Sequence, residues 1–339
     1  MDIVEVPYFR REGKRIVCEI CPRECRLGEA QVGFCQGREV RDGVLIATNY
    51  GEAASVAIDP IEKKPLYHVF PGSRIFSLGP NACNLNCDFC QNWQISQDRV
   101  PTRYISVEDL ARIAGANASI GVAYTYSEPL MWYEYIRDSA RLLKDSGMLV
   151  VLVTNGYLNE RPFRDILPLV DAMNIDLKSI EPDFYKKMCG GTIDEVLQNI
   201  QIAHEAGCHI EITHLIVTGH NDKEDLIDRL ARWVASVNPD IPLHLSRYFP
   251  HHHYLAPPTS AAFLQNAYDI ARQSLNFVYV GNISIRGASD TTCPNCGTVN
   301  LRRDGYDVTV AELSDGKCGH CGRSLNILWK LDSKSRNSS

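Results

Sequence analysis

The run Gly79-Pro-Asn-Ala-Cys83-Asn-Leu-Asn-Cys87-Asp-Phe89-Cys90-Gln-Asn-Trp93 follows an apolar segment, residues 74–79, that reads as a strand. Its C-x3-C-x2-C spacing offers three thiolates to one metal centre. Closed structural sites take four protein ligands, whereas a centre that must touch a substrate keeps one coordination position open. A cubane iron–sulfur cluster held by three thiolates leaves one iron free for a small molecule. A degenerate zinc knuckle is the plainer reading of the same cysteines, and the segments downstream decide between the two.

Outward from this loop, residues 74 to about 285 alternate short apolar runs rich in β-branched residues with longer amphipathic stretches, which predicts strands followed by helices and a parallel sheet. The expected strands are 74–79, 121–127, 149–154, 172–177, 209–217 and 242–248, with 277–280 as a seventh. Ser106-Val-Glu-Asp109 and Thr192-Ile-Asp-Glu195 read as capping boxes. Pro129 suits a first helical turn after Glu128. Residues 192–206 and 222–237 carry apolar positions at helical spacing. Six such units fit an open, partial (β/α)6 barrel. A doubly wound sheet would give the same alternation, and both architectures bind ligands at the C-terminal ends of their strands.

With Phe89 before the last cysteine, C-x3-C-x-aromatic-C after the first strand resembles the radical S-adenosylmethionine (SAM) enzymes. That resemblance implies a TIM-like partial barrel, a [4Fe–4S] cluster on Cys83, Cys87 and Cys90, and SAM bound at its open iron. It further implies one-electron cleavage of SAM to a 5′-deoxyadenosyl radical that abstracts hydrogen from a substrate, with a flavodoxin- or ferredoxin-like donor. Tyr124-Thr-Tyr-Ser-Glu-Pro129 stands where such enzymes carry a Gly-Gly-Glu type motif for the methionyl ammonium. Ser127 and Glu128 occupy it, and the glycines are replaced by Tyr126 and Ser127. Alone, Glu128 reads equally as an acid at a helix start. Asn174-Ile-Asp176-Leu-Lys178 resembles the Asp-x-Lys pair that pyruvate formate-lyase activating enzymes hold near SAM. Period two puts Asp176 and Lys178 on one strand face, and a structural ion pair is the competing reading. Asn155, in the Asn-Gly turn after the third strand, is a ribose candidate. By the same resemblance His214, His244, Ser246 and Arg247 surround the adenosine. His251, His252 and His253 are adjacent on an extended segment, which suits a shared ion poorly.

The wider pattern, including Cys-Glu-Ile-Cys-Pro-Arg-Glu-Cys25 and Cys293-Pro-Asn-Cys296-Gly, is similar to the AmmeMemoRadiSam-system radical SAM enzymes. This implies Memo-like and Amme-type partner proteins and kinship with glycyl-radical activating enzymes, so a partner protein is the expected substrate. A small molecule or RNA is the alternative within the class. A non-catalytic zinc scaffold is the alternative outside it.

The 339 residues, 45% hydrophobic and 22% charged, suit a large domain with small appendages. A net charge of −6 argues against a chain built to neutralise phosphates. No run reaches a membrane span and the first thirty residues carry no apolar leader core, so a cytoplasmic location is expected. Thirteen cysteines is an odd number, which forbids complete disulfide pairing and favours metal. Cys293, Cys296, Cys318 and Cys321 form two Cys-x2-Cys-Gly knuckles, a four-thiolate site for zinc or a single iron. Cys18, Cys21, Cys25 and Cys35 leave structural zinc, an auxiliary cluster and free thiols open. Cys189 and Cys208 read as reduced thiols in or near the core. The expected layout is a cysteine-rich lobe at 1–70, the barrel at 71–286, a zinc-ribbon or rubredoxin-like lobe at 287–332 and a flexible tail at 333–339.

Overall fold

The computed structural model describes residues 3–329. The tail expected at 333–339 lies outside them. Seven parallel strands form the centre: β1 (Arg74–Pro80), β2 (Gly121–Tyr124), β3 (Leu149–Thr154), β4 (Ala172–Asp176), β5 (His209–Ile216), β6 (Leu243–Arg247) and β7 (Val278–Gly281). They lie in sequence order across the sheet. That order decides what periodicity left open. A doubly wound sheet reverses direction at a switch point, whereas here every connection steps the same way, as in a barrel. The two edges of the sheet do not pair with each other among the described residues, so the barrel is open.

The crossovers carry α1 (Val107–Ala116), α2 (Tyr133–Asp145), α3 (Glu160–Ile166), α4 (Asp194–Glu205), α5 (Glu224–Val237) and α6 (Ala261–Ala271). Ser106 caps α1 as its capping box predicts, accepting from the Asp109 N–H at 3.1 Å. The second box does not form. Ile193 stands at the N-cap of α4 and Thr192 donates to the Glu195 carboxylate instead, because that helix starts one residue later than the box requires. On α5, Leu226, Ile227, Leu230, Ala231 and Val234 are buried at helical spacing, and fully burying each large one contributes roughly 1.5–3 kcal/mol.

The sheet starts inside the expected N-terminal lobe. Glu52–Pro60 pairs antiparallel with β1, and Arg103–Tyr104 extends that edge. The remainder of the lobe is a three-stranded sheet, Phe9–Glu12, Arg15–Cys18 and Arg26–Leu27, and a hairpin of Arg38–Arg41 with Val44–Ala47. The C-terminal lobe has its own small sheet, Thr291–Thr292, Val299–Asp304 and Asp307–Val310. It packs against β7 and the segment before β1: Tyr67, Phe277, Tyr279, Cys293, Cys318 and Leu325 share one buried cluster, and buried Arg303 donates to the Tyr67 carbonyl at 2.7 Å. No helix among the described residues is long and apolar enough to cross a membrane.

Candidate active site

The loop after β1 delivers Cys83, Cys87 and Cys90 to the C-terminal end of the strands, where a cavity of about 540 Å³ opens. Its walls include those three cysteines together with Phe89, Ser127, Glu128, Asn155, Asp176, Lys178 and Ser246, ten of the residues singled out in the sequence. Phe89 is buried and packs its ring at 5.6 Å against Phe184. The loop is tied down by backbone bonds, from Asn86 N to the Cys189 carbonyl and from Asp88 N to the Met188 carbonyl, each 3.0 Å. The Leu85 N–H points at the Cys83 sulfur at 3.4 Å, and the Ser96 hydroxyl lies 3.2 Å from the Cys90 sulfur.

Burial pushes the Cys83 and Cys90 thiols up. A hydrogen bond from Cys189 holds Cys87 below the ordinary thiol range against its burial. Cys189 is buried in the core, as expected of a reduced thiol, but it also touches a cavity cysteine, which sequence distance concealed.

Glu128 is buried, and its carboxylate accepts from the Leu130 N–H (3.0 Å), the Thr154 hydroxyl (2.7 Å) and the Asn155 N–H (2.8 Å). It thus caps the turn Pro129–Trp132 and locks the ends of β2 and β3 together. Burial outweighs those bonds and raises its pKa to about 7. Tyr126, where the resemblance expects glycine, has φ +72°, so the left-handed backbone is kept with a side chain on it. The ring is held by its hydroxyl on Asp59 (2.5 Å) and by Lys64, whose ammonium lies 4.3 Å from the ring centre. Gly79 is needed for close approach, since a Cβ there would stand 1.9 Å from the Thr125 carbonyl oxygen.

Asn155 reaches back to the loop: its amide donates to Asn84 Oδ1 at 2.9 Å and lies 3.8 Å from the Cys83 sulfur. Lys178 pairs with Asp176 at 3.0 Å on the cavity wall. Burial opposes the Lys178 charge, but Asp176 and the neighbouring Cys87 and Cys189 hold it well above the usual lysine range.

Three expected residues lie off the cavity. On β5, Thr213 and Leu215 face the cavity, so His214 faces the opposite side, where its Nδ1 meets the Leu177 carbonyl at 2.9 Å. Burial lowers it to about 4. His244 shares the face of Ser246 but sits one layer deeper, its Nε2 2.7 Å from the buried carboxylate of Glu211. Arg247 points away from Ser246 and donates to the Thr259 carbonyl at 2.8 Å. The histidine run forms no compact three-ligand group among the described residues, although the His252 and His253 rings lie 3.7 Å apart. His252 stacks on Trp93 at 5.1 Å, and His253 and Tyr254 bond through their N–H groups to the Asp88 carbonyl. Residues not singled out as site candidates also line the cavity: Lys64, Asn92, Tyr126, Thr213, Asn282 and, from the C-terminal lobe, Tyr306. Asn92 and Tyr126 belong to the cysteine run and to the 124–129 segment, whereas Lys64, Asn282 and Tyr306 come from distant loops that no local motif marks.

The cysteine groups differ in spacing. Cys293, Cys296, Cys318 and Cys321 place all their sulfurs within 4.8 Å of one another, with pairs at 3.6 and 3.7 Å. Sulfurs about 2.3 Å from a single tetrahedral ion stand roughly 3.8 Å apart, so this cluster fits one metal ion. Among the described residues no other group is so compact. Cys83, Cys87 and Cys90 are therefore spread more widely, as suits thiolates on separate irons of a cubane. Thr213 Oγ1, buried at the cavity and without a hydrogen-bond partner among the described residues, adds an unused polar atom for a ligand. The residues present thus fit a cluster with a small polar ligand beside it.

Residues 79–234 match the family model described as the Radical SAM superfamily. The uncharacterized protein MJ0808 of Methanocaldococcus jannaschii is 38% identical over 329 residues, 95% of this chain and 98% of that one. Pyruvate formate-lyase 1-activating enzyme of Escherichia coli K12 is 25% identical over 49% of this chain and 70% of its own length. In fold, the chain is similar to Streptococcus suis SuiB bound to precursor peptide SuiA, with a TM-score of 0.50 and 16% identity over 66% of this chain and 51% of that one.

Proposed function

The chain belongs to the radical SAM superfamily and is an enzyme related to the glycyl-radical activating enzymes, and from that premise we propose that it cleaves SAM reductively and turns the product on a partner protein. Cys83, Cys87 and Cys90 would hold the [4Fe–4S] cluster. When bound, cluster and SAM supply the electron transfer and the 5′-deoxyadenosyl radical, while the chain supplies position and shelter from water. The observation that carries this reading is convergence: the three cysteines, Glu128, Asn155, Asp176 and Lys178 wall one cavity although they come from four different strand ends.

Lys178 suits the SAM carboxylate as a charge-assisted donor, with Asp176 holding its ammonium in place. Glu128 acts by fixing the turn after β2 and the backbone of Asn155, since its oxygens are occupied. Asn155 orients the cysteine loop through Asn84. Ser127, Thr213 and Ser246 offer hydroxyls to the nucleoside. A protein target follows the E. coli relative, whose name describes activation of another enzyme. Memo-like and Amme-type proteins are the proposed partners, and a flavodoxin- or ferredoxin-like protein the electron donor.

The layout we propose is an N-terminal cysteine-rich lobe, a barrel and a C-terminal ribbon whose Cys293, Cys296, Cys318 and Cys321 bind zinc. The thirteen free cysteines suit a reducing compartment, the cytoplasm. Anaerobic incubation with SAM and dithionite tests the activity. Formation of 5′-deoxyadenosine and methionine is expected, and none with the central cluster fully loaded would overturn the reading.

A further inference from the structure

Outside the cavity, Cys18, Cys21, Cys25 and Cys35 converge although they come from a strand end, the turn beyond it and the loop before Arg38–Arg41. With Ile20, Met131 and Arg38 they line one small cavity of about 10 Å³. Their thiols are presented as a ligand set. The backbone N–H groups of Ile20, Arg23 and Gly37 point at the sulfurs of Cys18, Cys21 and Cys35, each two residues on. The Phe34 N–H points at Cys25 at 3.4 Å. The same two-residue geometry holds Cys293, Cys318 and Cys321 in the compact C-terminal site, through Asn295, His320 and Arg323.

Spacing separates the two groups. A single zinc draws its sulfurs to about 2.3 Å and leaves no void for a water-sized sphere between them. The N-terminal group keeps such a void, and no three of its sulfurs lie within 4.8 Å of one another. Iron–sulfur bonds are much shorter than van der Waals contact, so a cluster occupies more room than the free void. The lining also calls for negative charge. Arg38 is 2% exposed and pairs with Glu134 at 2.9 Å, yet its Nε has no hydrogen-bond partner among the described residues. A buried guanidinium with a spare donor suits anionic thiolates and sulfides.

We propose that Cys18, Cys21, Cys25 and Cys35 ligate a second iron–sulfur cluster, closed by four protein thiolates. It sits beside the first site: Arg23 donates from Nη2 to the Gly190 carbonyl at 2.6 Å and from Nε to the carbonyl of Asn84, the residue after Cys83.

The test removes the first site. A chain with Cys83, Cys87 and Cys90 all changed to Ala is reconstituted anaerobically with ferrous iron and sulfide, and its metals and acid-labile sulfide are counted. About four iron and four sulfide should remain, with a Mössbauer spectrum of a cubane. A colourless chain with zinc at both ends, or with no metal beyond the C-terminal site, would overturn the proposal. Should that variant fail to fold, the wild-type chain decides: about eight irons when saturated supports the second cluster, and about four contradicts it. Neither count depends on SAM cleavage, so the two proposals fail separately.

Discussion

The C-terminal ribbon and the loop at the barrel mouth both present cysteines on tight turns whose backbone N–H groups face sulfur, yet they are built for opposite ends. The ribbon brings four sulfurs together, with pairs at 3.6 and 3.7 Å and with Cys296 and Cys321 at the surface. The mouth loop has three, spread apart, facing a cavity of about 540 Å³. Ligand number and the space next to the ligands, more than the donor atom, separate a centre that holds a lobe together from one that meets a substrate.

Breaking the open site should have the largest effect. Cys87→Ala is expected to reduce 5′-deoxyadenosine formation to background, measured chromatographically, while zinc at the ribbon stays near one per chain. Loss of zinc as well would show that the two sites are not independent. Breaking the closed site with Cys318→Ser should do the reverse. A structural ion in a small lobe contributes roughly 10–16 kcal/mol of apparent binding energy. Hydrogen exchange in Val299–Asp304 and Asp307–Val310 should therefore lose most of its protection, with β3 and β4 unchanged.

Glu128 sharpens the comparison at the mouth. Its carboxyl titrates near 4.5 when unfolded and at about 7 in the fold, where burial disfavours the charge. Between those values the folded chain keeps a proton that the unfolded chain has released. Stability therefore falls as pH rises through this window, by about 3 kcal/mol once complete above it. Glu128→Gln cannot titrate. Denaturant unfolding of metal-free protein should show the wild-type chain losing about that much relative to the variant from pH 4.5 to 7.5; parallel curves would contradict this. The smallest effect is at Tyr126. Its left-handed φ favours glycine, so Tyr126→Gly should be more stable than Tyr126→Ala by about 1 kcal/mol in the same assay.

The seven strands were legible because β-branched apolar runs mark them: 149–154 coincides with β3, and the others differ by a few residues at their ends. Strand order was not legible, because the same alternation serves two topologies. The cysteine loop, Glu128 and the Asp176–Lys178 pair were readable as local motifs. His214, His244 and Arg247 lie off the cavity lining, since membership of a strand fixes neither which face a residue takes nor which layer it occupies. Cys189, Tyr306 and Lys64 reach the centre from far along the chain, and no local pattern marks them. The second capping box failed for a similar reason: the hydroxyl's choice between a backbone N–H and a carboxylate depends on where the helix starts.

The central claim is that three thiolates leave an iron to which SAM binds directly. Electron–nuclear double resonance on the dithionite-reduced protein, with SAM carrying nitrogen-15 at its amino group and oxygen-17 at its carboxylate, tests this most directly. Hyperfine couplings from both labels are expected, and they should vanish in Cys87→Ala. A fully loaded, reduced central cluster that shows neither coupling at saturating SAM would contradict the account.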